Sequence, residues 1–229
     1  MKSSHMKILN CLFALMALAG IASAEAADDK ADAQQTVDAA TKTIESFKAD
    51  PDMGWFRDHV KDAKAVMIVP QLVKAGFILG GSGGTGVLVA HDAKHGAWTD
   101  PAFYTMGSVT FGLQIGGEAA EVVMLVMTQK GIDAFLSTKF QLGADASVAA
   151  GPVGAGAQAA TADIIQFSRS QGAFGGLTLE GAVVDIRDSL NTAYYGKEVR
   201  PTDILVTRSV HNKHANRLIA AVSKAAGGS

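Results

Sequence analysis

A glycine-rich stretch at residues 80–86 matches two patterns found at catalytic and cofactor sites. Residues 81–86 read GSGGTG, which fits the G-x-G-x-x-G pattern of dinucleotide loops, and Ser82 is the central residue of a G-x-S-x-G hydrolase pattern. Both sites need a strand, a turn and then a helix. The following residues, VLVAHD, are apolar and β-branched, so they predict a strand. We interpret the glycines as a turn or bulge joining two strands, and a serine hydrolase using Ser82 is the second alternative function.

Two histidine pairs have spacings that suit a metal ion bound on a helix. His91 and His95 fall beside the Gly96 turn, which indicates a hairpin tip, and His211 and His214 have no evident third ligand. The carboxylates show no paired acid–base spacing, and Glu180 is interpreted as a turn residue. We therefore predict no metal, no cofactor and no enzymatic activity.

The first 24 residues have the composition of a secretory signal peptide. A lysine-containing start precedes the apolar run ILNCLFALMALAGIASA, which ends in the small-residue cleavage pattern Ala-Ser-Ala. The sole cysteine, Cys11, lies in this segment, so the mature chain has no thiol or disulfide. We predict a signal peptide over residues 1–24, a flexible terminus over 25–33, and one domain over 34–229 of a periplasmic or secreted protein.

The charges of the mature chain are unevenly distributed. Without Lys2 and Lys7 it has 18 basic and 22 acidic residues, a net charge of −4, which does not favour nucleic-acid binding. Residues 25–53 contain eight acids and three lysines, whereas residues 197–229 contain six basic residues and two acids. A helical wheel of residues 207–226 predicts an amphipathic helix with Ala215, Leu218, Ile219 and Val222 on its apolar side. Its basic side carries Lys213, Arg217 and Lys224, with Lys197, Arg200 and Arg208 nearby in sequence.

Apolar periodicity predicts the elements that carry these residues. A stripe of Val37, Ala40, Ile44 and Phe47 predicts a helix before Pro51. The run AVMIV predicts a strand ending at Pro70, and EVVMLVMT predicts a strand buried on both faces. A short helix, QKGIDAFLST, interrupts the β pattern. We expect an α+β domain: a strongly curved, glycine-rich antiparallel sheet that can close towards a barrel, flanked by N- and C-terminal helices.

Several segments in order resemble the SYLF-domain family. They include WTDPAF, FSRSQGAFGGLTLEG and NTAYYG, within a match over about residues 63–206. The resemblance implies a non-enzymatic domain that binds anionic phospholipids, and fungal members also bind actin filaments. Lys64, Lys74 and Arg169 fall in matching segments and are further lipid-binding candidates, although Arg169 could instead pair with Asp163 or Asp185.

A membrane-surface role carries over more directly than the actin role, because a periplasmic protein meets no actin in its own cell. We therefore expect a peripherally membrane-associated protein whose partners are anionic phospholipids. The alternative is a module that contacts another envelope or host protein, which the net charge of −4 favours because that charge repels anionic membranes.

Overall fold

A single sheet contains every strand in the computed structural model, which describes residues 27–76, 79–92, 94–111, 116–152, 161–170, 173–174 and 179–228. Its strand order is β6-β10-β4-β2-β1-β5-β8-β7, with β3 on β2 and β9 on β8. All pairs are antiparallel except β7 with β8. The strands are β1 (Ala65–Gly76), β2 (Leu79–Asp92), β3 (Ala97–Trp98), β4 (Ala102–Phe111), β5 (Gly116–Val126), β6 (Lys139–Gln141), β7 (Val148–Ala150), β8 (Ile164–Ser170), β9 (Ala173–Phe174) and β10 (Val183–Ile186).

Helices flank this sheet at both ends of the described chain. They are α1 (residues 27–49), α2 (Gly54–His59), α3 (Gln129–Leu136), α4 (Asp188–Tyr195) and α5 (Asn216–Ala225). Short 3₁₀ turns occupy Val60–Asp62 and Lys213–Ala215, and a π-helical turn occupies Thr202–Val206. The eight strands of the main path curl into a half barrel, which confirms the predicted α+β fold with a strongly curved sheet. None of the described helices combines the length and apolar character needed to cross a bilayer.

Both faces of the central strands are buried. On β5, Val123 and Leu125 belong to the core layer that contains α1, α2 and α5. Val122, Met124 and Val126 belong to the opposite layer, which contains α3 and the π-helical turn. The prediction that EVVMLVMT forms a strand buried on both sides is therefore confirmed.

Helix α1 extends further towards the N-terminus than the apolar stripe predicts. Ala33 is fully buried and continues the stripe through Val37, Ala40 and Ile44 at helical spacing. Residues 27–33 are therefore helical, and the prediction that they form a flexible terminus is wrong, because Ala33 packs into the core. The predicted signal peptide lies outside the described residues.

Strand β1 does not end at Pro70 as predicted but continues to Gly76. The register with β2 shifts between Ile68 and Val73, so Pro70 lies in a bulge, one of the few strand positions that proline tolerates. The glycines of residues 80–86 lie within β2. They therefore do not form a turn between two strands. An added Cβ at Gly84 would lie 2.5 Å from the Gln71 carbonyl oxygen, which explains why glycine is needed opposite the bulge.

Asp163 joins α3, β7 and β8 and gives the fold a testable dependence on pH. The Thr128 hydroxyl, the Ser147 backbone N–H and the Ser147 hydroxyl donate to its carboxylate at 2.6, 2.9 and 2.8 Å. These hydrogen bonds, led by that of Thr128 and aided by the charge of Lys130, lower the pKa of Asp163 from its ordinary value of 3.8 to about 2.

We expect Asp163→Asn to be less stable than wild type above about pH 4, with the difference disappearing towards pH 2. The folded-state pKa is below the unfolded one, so the stabilisation is present above the unfolded pKa and is lost as pH falls through the folded pKa. Urea midpoints of both proteins at a series of pH values measure this. A stability difference that stays constant down to pH 2 would contradict it.

Candidate functional site

The structure does not build a nucleophile elbow around Ser82. This residue lies within β2, and its hydroxyl oxygen is 2.8 Å from that of Ser108 on β4. In the described part of the chain no histidine or carboxylate hydrogen-bonds to Ser82, so it has no base to remove its proton. The geometry therefore gives no support to the hydrolase alternative.

The histidines do not form a metal site in the described residues, where no group of three or more potential ligands could hold an ion. His91 and His95 lie in the β2–β3 hairpin, as predicted. The His91 ring packs 4.9 Å from the Trp98 ring, and the His95 imidazole hydrogen-bonds to the carboxylate of Asp92. His211 lies in a segment without regular secondary structure rather than on the predicted C-terminal helix.

The C-terminal α-helix begins only at Asn216, because residues 213–215 form a 3₁₀ turn and the non-helical residues before them bond to Asp92, Asp100 and Tyr194. We call residues 208–214 the terminal clasp. Arg208, held at a φ of +53°, donates to Asp92, whose side chain is 5% exposed. The backbone N–H of Asn212 donates to Asp100 at 2.9 Å, and its side-chain amide donates to the Tyr194 carbonyl oxygen at 2.8 Å. These contacts explain why the predicted helix over 207–226 is shorter.

Asp92 is the electrostatic centre of the clasp. The hydrogen bond from Arg208 holds the pKa of Asp92 well below its usual range, with further bonds from His95 and the Lys94 backbone N–H. Burial acts in the opposite direction and is the smaller effect, because three donors surround the carboxylate. Asp92 therefore stays ionised and offsets the charge of Arg208, so Arg208 is not a free cation.

Helix α5 has the amphipathic character that the sequence predicted. Leu218, Ala221, Val222 and Ala225 are buried at helical spacing against α1 and β3, and Ile219 packs partly buried against the same core layer. Three basic side chains are exposed here: Lys213 in the preceding turn, and Arg217 and Lys224 on α5. No carboxylate oxygen lies within 4.0 Å of their charged groups in the described chain.

The C-terminal segment adds no acidic side chain to this part of the surface. The last acidic residue of the sequence is Asp203, so residues 204–229 contain four basic residues and no acid. We call Lys213, Arg217 and Lys224 the basic face.

Lys197 and Arg200 lie elsewhere. Both are exposed, and they flank Val199, which is buried in the core layer on the other side of the sheet from α5. Arg200 lines a cleft of about 950 Å³ beside α4, together with Asp188, Glu198 and Pro201. The structure therefore does not add these two residues to the basic face, although they are close to it in sequence.

The three further candidates lie at three different places in or beside the sheet. Lys64 is exposed, and its backbone bonds to Val126 and His91 place it at the same end of the sheet as the β2–β3 hairpin. Lys74 lies on β1 beyond the bulge, opposite Ser82 and Glu118 in register, and thus towards the other end.

Arg169 is part of a structural cluster that the sequence did not predict. Its guanidinium donates to Glu121, lies 3.6 Å from a carboxylate oxygen of Asp50, and lies 5.2 Å from the centre of the Phe47 ring. The predicted partners, Asp163 and Asp185, are wrong. The side chain of Arg169 is 17% exposed and connects α1 to β5 and β8.

The sequence did not identify Lys94 as a candidate, and it did not predict that the clasp packs on the β2–β3 hairpin. Lys94 is exposed in the turn of the β2–β3 hairpin, next to the clasp. The sequence HDAKHG indicated a hairpin tip, but nothing local showed that residues 208–214 would cover it. The clasp joins residues more than a hundred positions apart, such as His211 and Asp100.

The described chain combines a sheet packed on both faces with an exposed basic face. Residues 107–225 match the family model described as "Ysc84: Las17-binding protein actin regulator", and the chain belongs to this family. The resemblance to SYLF domains is therefore confirmed.

Similar proteins come from fungi and mammals. LAS seventeen-binding protein 3 of Saccharomyces cerevisiae is 33% identical over 66% of this chain and 34% of its own length. Protein YSC84 of the same yeast is 31% identical over 74% of this chain and 38% of its own. Human SH3 domain-containing YSC84-like protein 1 is 29% identical over 64% of this chain and 44% of its own. The chain thus spans between a third and a half of the length of these relatives.

Proposed function

We propose that this protein is a non-enzymatic domain that binds anionic phospholipid surfaces in the cell envelope. In this proposal residues 1–24 are removed as a signal peptide, and the mature chain is periplasmic or secreted. The observation that carries the proposal is the basic face: Lys213, Arg217 and Lys224 are exposed and have no carboxylate partner in the described chain, and residues 204–229 contain no acidic side chain. A surface of this kind attracts phosphate head groups.

The size of the attraction is compatible with weak, reversible binding. Each basic residue near an anionic membrane contributes about 1 kcal/mol, so three contribute about 3 kcal/mol. The net charge of the mature chain, −4, opposes binding over longer distances. Because the Debye length is about 8 Å at physiological ionic strength, the local attraction acts only when the basic face points at the membrane, and salt weakens it.

We expect the mature chain to co-sediment with vesicles containing phosphatidylglycerol and not with vesicles of phosphatidylcholine alone. Reversing the basic face by Lys213→Glu, Arg217→Glu and Lys224→Glu should abolish binding, since it replaces three attractions by three repulsions. The domain should remain folded because these side chains are exposed, which circular dichroism checks.

The matched control changes three other exposed lysines by the same total charge, with Lys30→Glu, Lys139→Glu and Lys197→Glu. This control should keep most of the binding. Equal loss in both variants would show that net charge, rather than the basic face, governs binding. Failure of the wild type to bind any anionic vesicle would overturn the lipid proposal.

A protein partner is the second candidate, and the names of the relatives favour it. The family description mentions Las17 binding and actin regulation, and two yeast relatives carry the Las17-binding or YSC84 name. On this alternative the basic face contacts an acidic protein surface. Cross-linking in intact cells, together with co-sedimentation with purified actin filaments, tests it. One defined protein partner without vesicle binding would favour this candidate.

A further inference from the structure

Four of the six histidines of the chain gather at the end of the sheet where the terminal clasp meets the β2–β3 hairpin. His91 and His95 come from the hairpin, and His211 and His214 come from the clasp. Lys64 and Lys94 are exposed at the same end. This grouping results from the fold alone, because the two pairs are more than a hundred residues apart.

Three of these histidines each contact a carboxylate. His95 hydrogen-bonds to Asp92, which Arg208 also contacts, and the side chain of His95 is 71% exposed. His211 lies 2.9 Å from Asp100 and is 56% exposed.

His214 and His91 have mixed surroundings. His214 lies 3.6 Å from Asp38 on α1, and its other ring nitrogen is 3.3 Å from the hydroxyl of Tyr194 on α4. His91 packs on Trp98. In the described chain these imidazoles thus contact the carboxylates of Asp92, Asp100 and Asp38, and Arg208 lies on the same carboxylate as His95.

We propose that this end of the sheet extends the lipid-binding surface and makes its affinity depend on pH, an inference that rests on the proposed function. Histidine is the side chain that ordinarily gains its charge between pH 8 and pH 5. On acidification the four imidazoles add positive charge beside Lys64, Lys94 and the basic face, and phosphate groups of the anionic lipid bind there more tightly.

The clasp stays intact while this charge develops. A protonated imidazole is attracted to the carboxylate it already contacts, so acidification strengthens the pairs of His95, His211 and His214. Asp92 keeps its charge on acidification, because the hydrogen bond from Arg208 holds its pKa well below the usual range. The surface therefore gains charge without losing the contacts that form it.

The test measures the partition of the mature chain onto phosphatidylglycerol vesicles from about pH 8 to about pH 5.5, at constant salt. One added charge near the membrane corresponds to roughly a fivefold change in affinity, so we expect at least a tenfold rise for wild type. The variant with His91, His95, His211 and His214 all changed to Gln should show no rise when its partition at each pH is compared with its own value at about pH 8.

Two controls make the test specific. The double variant His95→Gln, His211→Gln changes only the two most exposed imidazoles of the clasp region, so it serves if the fourfold variant does not fold, and it should lose about half of the rise on a logarithmic scale. His59→Gln removes a histidine that stacks on Trp55 of α2, and it should behave as wild type.

Each remaining outcome decides between the two proposals. Binding by wild type that does not change with pH, or a full rise in the fourfold variant, overturns this inference and leaves the lipid proposal standing. Absence of wild-type binding at every pH removes the lipid proposal itself. A rise accompanied by loss of near-ultraviolet circular dichroism would assign the effect to acid unfolding and would also overturn the inference.

Discussion

Gly86→Ala is expected to lower the free energy of unfolding by about 3 kcal/mol, the upper end of the range for overpacked cores. An added Cβ would lie 2.5 Å from the carbonyl oxygen of Ile68 and 2.8 Å from the Met67 and Val69 side chains. The Ile68 backbone cannot easily move away, because it is paired with Val87 on one side and Val123 on the other. Urea denaturation monitored by circular dichroism measures the loss.

The same strand provides the matched control, Gly83→Ala. A Cβ there would have the Met106 carbonyl oxygen at 3.9 Å as its nearest neighbour, an ordinary contact on the exposed side of β2. Neither glycine has the positive φ that excludes other residues, so the two substitutions differ in available space. We expect Gly83→Ala to leave the free energy of unfolding unchanged or to raise it slightly, because alanine lowers the conformational entropy of the unfolded chain. Equal losses at both positions would show that close packing at the bulge is not the cause.

Local patterns predicted the elements whose burial is set by their own sequence. The stripe Val37, Ala40, Ile44 and Phe47 predicted α1, since a helix must bury one side at a period of 3.6 residues. The run EVVMLVMT predicted a strand covered on both faces, and β5 is such a strand. The glycine content predicted a sheet that bends, and the sheet is strongly curved.

The features that the sequence did not predict depend on which strands are neighbours. Pro70 indicated the end of a strand, because a proline inside a ladder removes a hydrogen bond. The β1 bulge accommodates it, and Gly84 and Gly86 of the adjacent strand provide the space. No pattern within either strand identifies the other as its neighbour, so the sequence alone indicates only a turn or bulge joining two strands.

The candidate site, likewise, could be predicted from the sequence only in part. The basic face follows from helical periodicity and from the absence of acids after Asp203, and both can be read from the sequence. The partners of Arg169 could not be predicted, because they come from α1 and β5, and Glu121 is 48 residues away. The clasp was also not predictable, since the non-helical form of residues 208–212 depends on bonds to Asp92 and Asp100.

The side chain of Asn191 bonds to both backbone polar groups of Phe103, as a neighbouring β-strand would. We expect it to be the most important polar group of the core. It is fully buried on α4, its carbonyl oxygen accepts from the Phe103 N–H at 3.0 Å, and its amide donates to the Phe103 carbonyl oxygen at 3.3 Å. The Arg187 N–H also donates to that carbonyl oxygen, but in Asn191→Ala the Phe103 N–H loses its side-chain partner. A buried, unsatisfied donor costs about 1–3 kcal/mol and the cavity adds to it, so we expect a loss of about 3 kcal/mol in urea denaturation.

Two further substitutions separate the hydrogen bonds from the general effect of changing α4. Thr192→Ala alters the exposed neighbour on the same helix and should change the free energy of unfolding by less than about 0.5 kcal/mol. Asn191→Asp keeps the shape and the acceptor but places a carboxylate in a fully buried position, so at neutral pH it should be at least as unstable as the alanine variant. Burial raises the pKa of such a carboxyl group, and its neutral form can donate to the Phe103 carbonyl oxygen, so this variant alone should regain stability as pH falls from 7 towards 5. An alanine variant as stable as wild type would mean that the Phe103 N–H finds another partner, and would assign the attachment of α4 to Leu190 and Tyr194, whose buried side chains pack in the same core layer.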